Sequence, residues 1–413
     1  MIALIDINNC YVSCERVFQP ELNNKPVIVL SNNDGCAIAR SAEAKSIGIK
    51  MGQPVYQIAG LIKQHGVKIR SANFALYGDM SHRMMTIIAE LTPKIQIYSI
   101  DECFVDATGI SRLEDWAKYL KKTIYQWTGL PVSIGVGRTK VFSKLANRLA
   151  KSGSGVYVIK ANDERDVLLS TPVGDIWGIG KKTSDRLISL GIYTADQFTR
   201  HPDQAIREQF SVVLSRIKAE LCGKSVLALD DHIETKQQII CSRSFGEVIT
   251  GKDHLQQALV HFALVVTEKL RRQNSEAGCL QITLDTNPYS QSTAQYHRAA
   301  TVSFPTHTAS TSLIIKYAGR LLDQLFKAGY EYKRAGVMLS NIAPTQMRQF
   351  DLLAIQLKEN EALDNVKDSI NQRFGNQKIL PARLLHQDQP WRMHQNKLSN
   401  KFTTKWSDLI KAS

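Results

Sequence analysis

Two apolar strands that meet at an acidic tip constrain the fold of this chain more than any other feature. Residues 95–99 and 103–106 flank Ile100-Asp101-Glu102, and the arrangement reads as a hairpin. Ahead of it stand a short buried strand, MIALID, which ends on Asp6, and a helical stretch over residues 11–18. Pro20, an apolar strand at residues 27–30, a helical spacing over 36–47 that stops at Gly48, and an amphipathic helix at 74–91 ended by Pro93 follow. After the hairpin come a helix at 113–127, a strand at 132–136 and a helix at 141–150. A parallel doubly wound sheet alternates strand and helix throughout, so a hairpin inside the pattern argues against it. The order β-α-β-β-α-β, with a helical insert after the first unit, predicts a ferredoxin-like split βαβ layer.

The chain is longer than one ordinary core supports: 413 residues suit three or four modules of roughly 100–150 residues. Residues 168–230 read as almost wholly helical. Beyond residue 239 a second α+β region begins, with helices at 255–272 and 310–326 and strands at 279–285, 296–302 and 334–339. From residue 345 the sequence is rich in Gln and Asn with weak periodicity, as expected of an appendage rather than another compact core. No 20–50-residue repeat is visible.

Lys and Arg number 52 against 38 Asp and Glu, a net charge of +14. The excess is spread along the chain rather than held in a tail, which suits a long surface tracking a polyanion such as a phosphate backbone. No apolar run approaches the roughly 20 residues of a membrane helix, and the start lacks the basic and apolar stretches of a secretion signal. A cytoplasmic protein with no membrane partner is expected. The seven cysteines form no C-x-x-C pair, so neither a zinc site nor a disulfide framework is expected.

Asp6 by itself is an ordinary helix-capping residue, and Asp101-Glu102 an ordinary exposed turn. The combination reads differently, because the expected topology brings the end of the first strand alongside the hairpin and gathers three carboxylates on one rim. At an effective dielectric near 20, a carboxylate pair about 4 Å apart repels by about 4 kcal/mol. Divalent cations relieve that repulsion, and oxygen-only ligands select Mg²⁺ or Mn²⁺ over zinc. Two such ions a few ångströms apart suit in-line phosphoryl transfer.

Asp6-Ile7-Asn8-Asn9-Cys10-Tyr11 together with Tyr98-Ser99-Ile100-Asp101-Glu102 resembles the catalytic signature of Y-family DNA polymerases. Ser31-Asn32-Asn33-Asp34-Gly35-Cys36, running on through AIARSAEAKSIGIKMG, narrows the resemblance to the UmuC/MucB/ImpB branch, that of the catalytic subunit of DNA polymerase V. The similarity extends over essentially the whole chain, including Arg243-Ser244-Phe245-Gly246 and the terminal Leu398-Ser399 and Phe402-Thr403-Thr404-Lys405-Trp406.

The resemblance implies an α+β multidomain polymerase. Its parts are a palm with fingers over 1–167 (fingers roughly 20–75), a helical thumb over 168–238, a little finger over 239–344 and a regulatory or partner-binding tail over 345–413. It implies that Asp6 and Asp101 bridge two Mg²⁺ ions, with Mn²⁺ as a substitute. Glu102 is expected to hold the ion that activates the primer 3′-hydroxyl, and the Ile7 carbonyl to complete the other. Asn9, Cys10 and Tyr11 fall in the nucleotide-binding stretch, with Tyr11 at the steric gate that leaves no room for a ribose 2′-hydroxyl. Lys151 matches a triphosphate-binding lysine. Lys45 stands where relatives use arginine, and reads equally as a solvated helix lysine. Ala42 departs from a phosphate-binding tyrosine.

Gly178-Ile179-Gly180 followed by Lys181 reads as a helix-hairpin-helix, whose free backbone N–H groups bind DNA phosphates. Arg243 and Ser244 are candidate template contacts. Gln346, Met347 and Phe350 match a clamp-binding peptide, with Gln349 in place of its leucine. The expected partners are primer–template DNA, deoxynucleoside triphosphates (dNTPs), a processed UmuD-like dimer, RecA and the sliding clamp, in error-prone translesion synthesis during the SOS response. A nucleotidyl cyclase or a non-catalytic DNA-binding factor are the alternatives. The first has no need of the Gly178-Ile179-Gly180 segment, and the second has no need of three gathered acids.

Overall fold

The computed structural model describes residues 1–229, 235–347, 361–375, 378–385 and 389–409. The chain forms two compact units, one of Met1–Ile233 with Asn396–Ser413 and one of Glu234–Gln395. All seven cysteines are free thiols. No helix among the described residues is long and apolar enough to cross a membrane.

In the first unit the strands are β1 (Ile2–Ile7), β2 (Val27–Leu30), β3 (Ala37–Arg40), β4 (Lys68–Ser71), β5 (Ile95–Ile97), β6 (Glu102–Asp106), β7 (Val132–Gly137) and β8 (Val156–Val158). Its helices are α1 (Cys10–Phe18), α2 (Ala42–Ser46), α3 (Val55–His65), α4 (Phe74–Leu91), α5 (Leu113–Thr128), α6 (Lys140–Ser152), α7 (Glu164–Ser170), α8 (Lys181–Ser189), α9 (Ala195–Arg200), α10 (Asp203–Gln209) and α11 (Val212–Leu221). The main sheet has the order β5-β6-β1-β7-β8, with β1 antiparallel to both neighbours, and β5 and β6 form the expected hairpin. This is the ferredoxin-like arrangement, extended by β8 alongside β7. Ala3, Ile5 and Ile7, on one face of β1, are buried in a core with Met84, Ile88, Leu120 and Ile124 of α4 and α5.

A smaller sheet, β3-β2-β4, is inserted between α1 and α4. Here the structure corrects the sequence reading, which treated residues 36–47 as helical. Residues 37–40 form β3, antiparallel to β2 with Ile28 opposite Arg40, and only Ala42–Ser46 is helix. Ala37-Ile38-Ala39-Arg40 alternates buried and half-buried positions, a period of two that the alanines masked. Ser41 then caps the short helix, accepting from Ala44 N.

Helices α7 to α11 bury Val167, Leu187, Phe198, Ile206, Leu214 and Ile217 in one core, and α6 joins it through Phe142 and Leu145. It lies close on the sheet. A Cβ on Gly135 of β7 would fall 1.9 Å from the backbone nitrogen of Asn147, and one on Gly137 would fall 2.6 Å from Phe142 Cβ. Backbone cannot give way as a side-chain tip can. Gly135→Ala is therefore expected to cost about 3 kcal/mol or more and to lower the unfolding temperature by roughly 5–10 °C. Thermal unfolding followed by circular dichroism checks this, and an unchanged midpoint would mean that α6 shifts without penalty.

The second unit contains β9 (Ile239–Ile249), α12 (Lys252–Arg272), β10 (Ser275–Thr286), β11 (His297–Thr308), α13 (Thr311–Leu325), β12 (Tyr332–Pro344) and α14 (Glu361–Phe374). Its antiparallel sheet has the order β11-β10-β12-β9, with both β10 and β11 longer than their apolar cores suggested. Leu280, Ile282 and Leu284 are buried beneath α12 and α13, while Cys279, Gln281, Thr283 and Asp285 lie half-exposed on the other face. Among the described residues of the weakly periodic tail, the α-helix is α14, which docks by a two-pronged ion pair from Arg271 to Asp368 and by Asp364 accepting from Thr311 N.

Candidate active site

Strand register gathers the acids. Asp6 lies opposite Glu102 across β6 and opposite Ser133 across β7, and Ile7 N donates to the Asp101 carbonyl at 2.9 Å. The Asp6 side chain is almost fully buried, and burial pushes its carboxyl up to about 7; Lys151 pulls it back, and the neighbouring Glu102 carboxyl adds to the rise. Asp101 accepts a short hydrogen bond from Ser99 Oγ, which tethers the hairpin tip.

One face of α6 answers this negative charge. Lys144 and Lys151 stand two turns apart: Lys151 Nζ lies 2.8 Å from Asp6 Oδ1, and Lys144 Nζ lies 2.7 Å from Glu102 Oε2. Between them Asn147 donates to the carbonyls of Leu4 at 3.2 Å and Ser133 at 2.8 Å, pinning the helix to β1 and β7. Lys144 also lies over the rings of Tyr98 and Trp177, and the Trp177 indole donates to the Tyr98 hydroxyl at 3.3 Å. Lys144 was not singled out in the sequence. Its signal was there in the seven-residue spacing to Lys151.

A cleft of about 380 Å³ opens beside Asp6. Ile7, Asn9, Cys10, Tyr11, Lys45, Asp101 and Lys151 line it with Asp6, so eight of the sequence-derived site residues meet in one place. Glu102 turns instead toward Lys144. Asn9 adopts a left-handed conformation at the start of α1, which asparagine tolerates, and its Oδ1 accepts from Lys45 Nζ at 2.6 Å. Desolvation, with Arg40 and Lys151 nearby, holds the Lys45 pKa below its usual value. Arg40 also lines the cleft, and Arg40 Nη1 is braced by the Ile49 carbonyl at 2.7 Å. Sequence reading passed over Arg40 because it took that stretch as helix; the alternation of β3 puts Ile38 and Arg40 together on the cleft side.

The donors available to a cation here are hard oxygens: the carboxylates of Asp6, Asp101 and Glu102 and the Ile7 carbonyl. Among the described residues no three His, Cys, Asp or Glu side chains are arranged around a common point for a metal ion. Lysine ammonium groups instead neutralise Asp6 and Glu102. A rim that holds two lysines against its acids is one whose charge calls for cations, and the donor chemistry fits Mg²⁺.

The remaining residues lie elsewhere. Gly178 has φ +88°, a left-handed conformation that favours glycine, and a Cβ there would fall 2.5 Å from the tip of the Ile217 side chain, which can shift to make room. Gly180 caps α8, and its carbonyl accepts from Ser184 N, leaving the N–H groups of the first turn, from the exposed Lys181 onward, without partners in the helix. Arg243 and Ser244 lie on β9 of the second unit, where Arg243 Nη1 lies 3.5 Å from Met393 Sδ. Gln346 and Met347 belong to a short 3₁₀ turn after β12, and Phe350 lies outside the described residues.

Comparison with known proteins decides the lineage. The impB/mucB/samB family matches residues 5–148 and its C-terminal domain residues 236–352. Protein ImpB of Salmonella typhimurium is 40% identical over 99% of both chains. The chain belongs to the impB/mucB/samB family. Within it, protein UmuC of Salmonella typhimurium is 38% identical over the full length of both chains. Residues 161–192 match the helix-hairpin-helix motif of the family, and residues 361–412 match a domain of unknown function (DUF4113). A solved Y-family DNA polymerase chimera built on Dbh shares the fold, with a TM-score of 0.70 at 19% identity over 83% of this chain and all of that one. The family member described here is thus an α+β protein that shares the fold of a Y-family DNA polymerase.

Proposed function

We propose that this chain is a template-directed DNA polymerase that performs error-prone translesion synthesis, with the cleft beside Asp6 as its nucleotidyl-transfer site. The observation that carries the reading is the register of β1 against β6. It sets Asp6 opposite Glu102 and beside Asp101 at the mouth of a cleft walled by Tyr11. Asp6, Asp101, Glu102 and the Ile7 carbonyl are the groups to hold divalent cations. Bound there, two Mg²⁺ ions supply charge neutralisation at the transferring phosphoryl group and a lowered pKa at the primer 3′-hydroxyl.

The chain's own residues do the rest. Lys151 and Lys45, which now hold Asp6 and Asn9, are free to turn to the triphosphate of the incoming dNTP, and Arg40 stands beside them. Tyr11 faces the sugar. Gly178 and Gly180 with Lys181 offer backbone N–H groups and positive charge to a primer–template phosphate. Arg243 and Ser244 serve the template in the same sequence-independent way. Primer extension with Mg²⁺ and all four dNTPs tests the reading. Template-directed products support it, whereas cyclic nucleotide products or DNA binding without synthesis point to the two alternatives.

The full reading includes a cytoplasmic role in the SOS response with a processed UmuD-like dimer, RecA and the sliding clamp. For the clamp, Gln346, Met347 and Phe350 are the anchors. A buried phenylalanine contributes roughly 1.5–3 kcal/mol, so Phe350→Ala is expected to weaken clamp binding about 10- to 100-fold. Clamp-dependent extension on a primed template should fall while clamp-free extension is retained. Equal clamp stimulation of both proteins would place the contact elsewhere.

A further inference from the structure

Tyr11 is supported from behind. Its ring stacks on the buried ring of Tyr77, with centroids 4.5 Å apart and planes within 12°, and Phe74 meets it edge-on at 6.0 Å. Tyr77 is fixed in turn, since its hydroxyl donates to Glu15 Oε1 at 2.7 Å. Glu15 lies one helical turn beyond Tyr11 on α1, so the helix and the ring stack hold the same pair from two sides. The Glu15 carboxylate is fully buried, and that burial raises its pKa against the pull of its hydrogen bonds to Tyr77 and Ser399 and of nearby Arg70. A carboxylate placed there depends on its donors, because a buried charge stripped of a partner is strongly unfavourable.

One of those donors comes from the far end of the chain. Ser399 Oγ donates to Glu15 Oε1 at 3.0 Å and accepts from Asn73 Nδ2 at 3.0 Å, which fixes the direction of its proton. Asn73 also caps α4 through Leu76 N and donates to the Asn400 carbonyl. The segment around Ser399 is fastened on both sides. Ser71 N–H donates to the Lys397 carbonyl and Lys397 N–H donates to Ser71 Oγ, both at 2.9 Å, and Phe402 stacks on Phe18 at 5.0 Å with planes 5° apart. Ser399 and Phe402 are 8% and 7% exposed.

We propose that residues 397–402 position the sugar gate: Ser399 completes the donor set of Glu15, Glu15 fixes Tyr77, and Tyr77 sets the plane on which Tyr11 rests. The proposal rests on the reading of Tyr11 as the gate, and it gives part of a domain of unknown function a task in substrate selection. Ser399, Glu15 and Tyr77 are positioning residues; none of them lines the cleft.

The test is single-nucleotide insertion by the full chain, comparing kcat/KM for a deoxynucleotide with that for its ribonucleotide. A variant that merely folds less well loses both values in proportion, so their ratio reports the gate alone. Ser399→Ala and Tyr77→Phe, which keeps the ring but loses the hydroxyl, are each expected to reduce discrimination about 5- to 10-fold, since hydrogen bonds to charged groups are among the stronger ones. Ser399→Thr, which keeps the donor, is expected to restore the wild-type ratio. In a Tyr11→Ala background, Ser399→Ala should change the ratio no further. If Tyr11→Ala relaxes discrimination while Ser399→Ala and Tyr77→Phe leave it unchanged, the positioning role is overturned and the gate stands. If Tyr11→Ala leaves the ratio unchanged, both fall together.

Discussion

Asp101→Ala is expected to abolish primer extension while a primer–template complex still forms. Asp101 lies at the hairpin tip, lines the cleft and is tethered by Ser99. Its backbone carbonyl accepts from Ile7 N, a contact that alanine keeps, so the sheet has no reason to come apart. What disappears is one of the carboxylates assigned to two divalent cations, whose charge stabilisation is worth several kcal/mol in a transferring phosphoryl group. At 1.36 kcal/mol per tenfold, that amounts to a loss of about 10³-fold or more in rate. Single-turnover extension with Mg²⁺ measures it, and an electrophoretic shift of labelled primer–template measures binding alongside. On the proposed reading DNA binding draws on phosphate contacts to the chain's many basic residues, so its affinity should stay within about threefold. Extension near the wild-type rate would remove Asp101 from the chemistry and with it the metal assignment.

Tyr11→Ala is expected to change which sugar enters rather than whether synthesis occurs. An apolar pocket by itself rejects an added hydroxyl only about 100-fold, so stronger rejection of ribonucleotides needs a rigid wall. Tyr11 has the support such a wall needs: it is half-buried and stacked on Tyr77 with Phe74 against its edge. Truncation to alanine removes the ring and leaves Tyr77, whose hydroxyl is committed to Glu15, as the nearest aromatic surface. Discrimination should fall by about 100-fold or more, with insertion of deoxynucleotides reduced far less. Paired insertion assays with matched deoxy- and ribonucleotides give the ratio. An unaltered ratio would make Tyr11 a packing residue shared between α1 and α4.

Much of the site's assembly was legible before any coordinates. The strand MIALID ends on Asp6 and a two-strand hairpin carries Asp101 and Glu102, and split βαβ topology leaves few ways for them to lie other than on one rim. Period-two and period-3.6 patterns are local, and topology follows from their order. Lys151 and Lys45 were legible as positions in motifs, but their present partners, Asp6 and Asn9, were not. Arg40 and Lys144 escaped for different reasons. Arg40 lies in a strand whose alanines imitate helix composition, and Lys144 looks like any helix lysine until β6 brings Glu102 within 2.7 Å.

The sequence alone determined what local periodicity and the order of elements determine: an α+β chain with a ferredoxin-like sheet, a helical region carrying a Gly-h-Gly turn, a second α+β unit, and three acids brought to one edge. The tertiary structure decided the contacts between distant segments. Ser399 and Glu15 are 384 residues apart and share one buried hydrogen bond. The weakly periodic tail divides, with α14 on the second unit and residues from Asn396 on the first. Neither follows from periodicity, because such a contact depends on which buried carboxylate lacks a donor and which exposed aromatic lacks a stacking partner once the cores have closed. Those vacancies exist only in the folded chain.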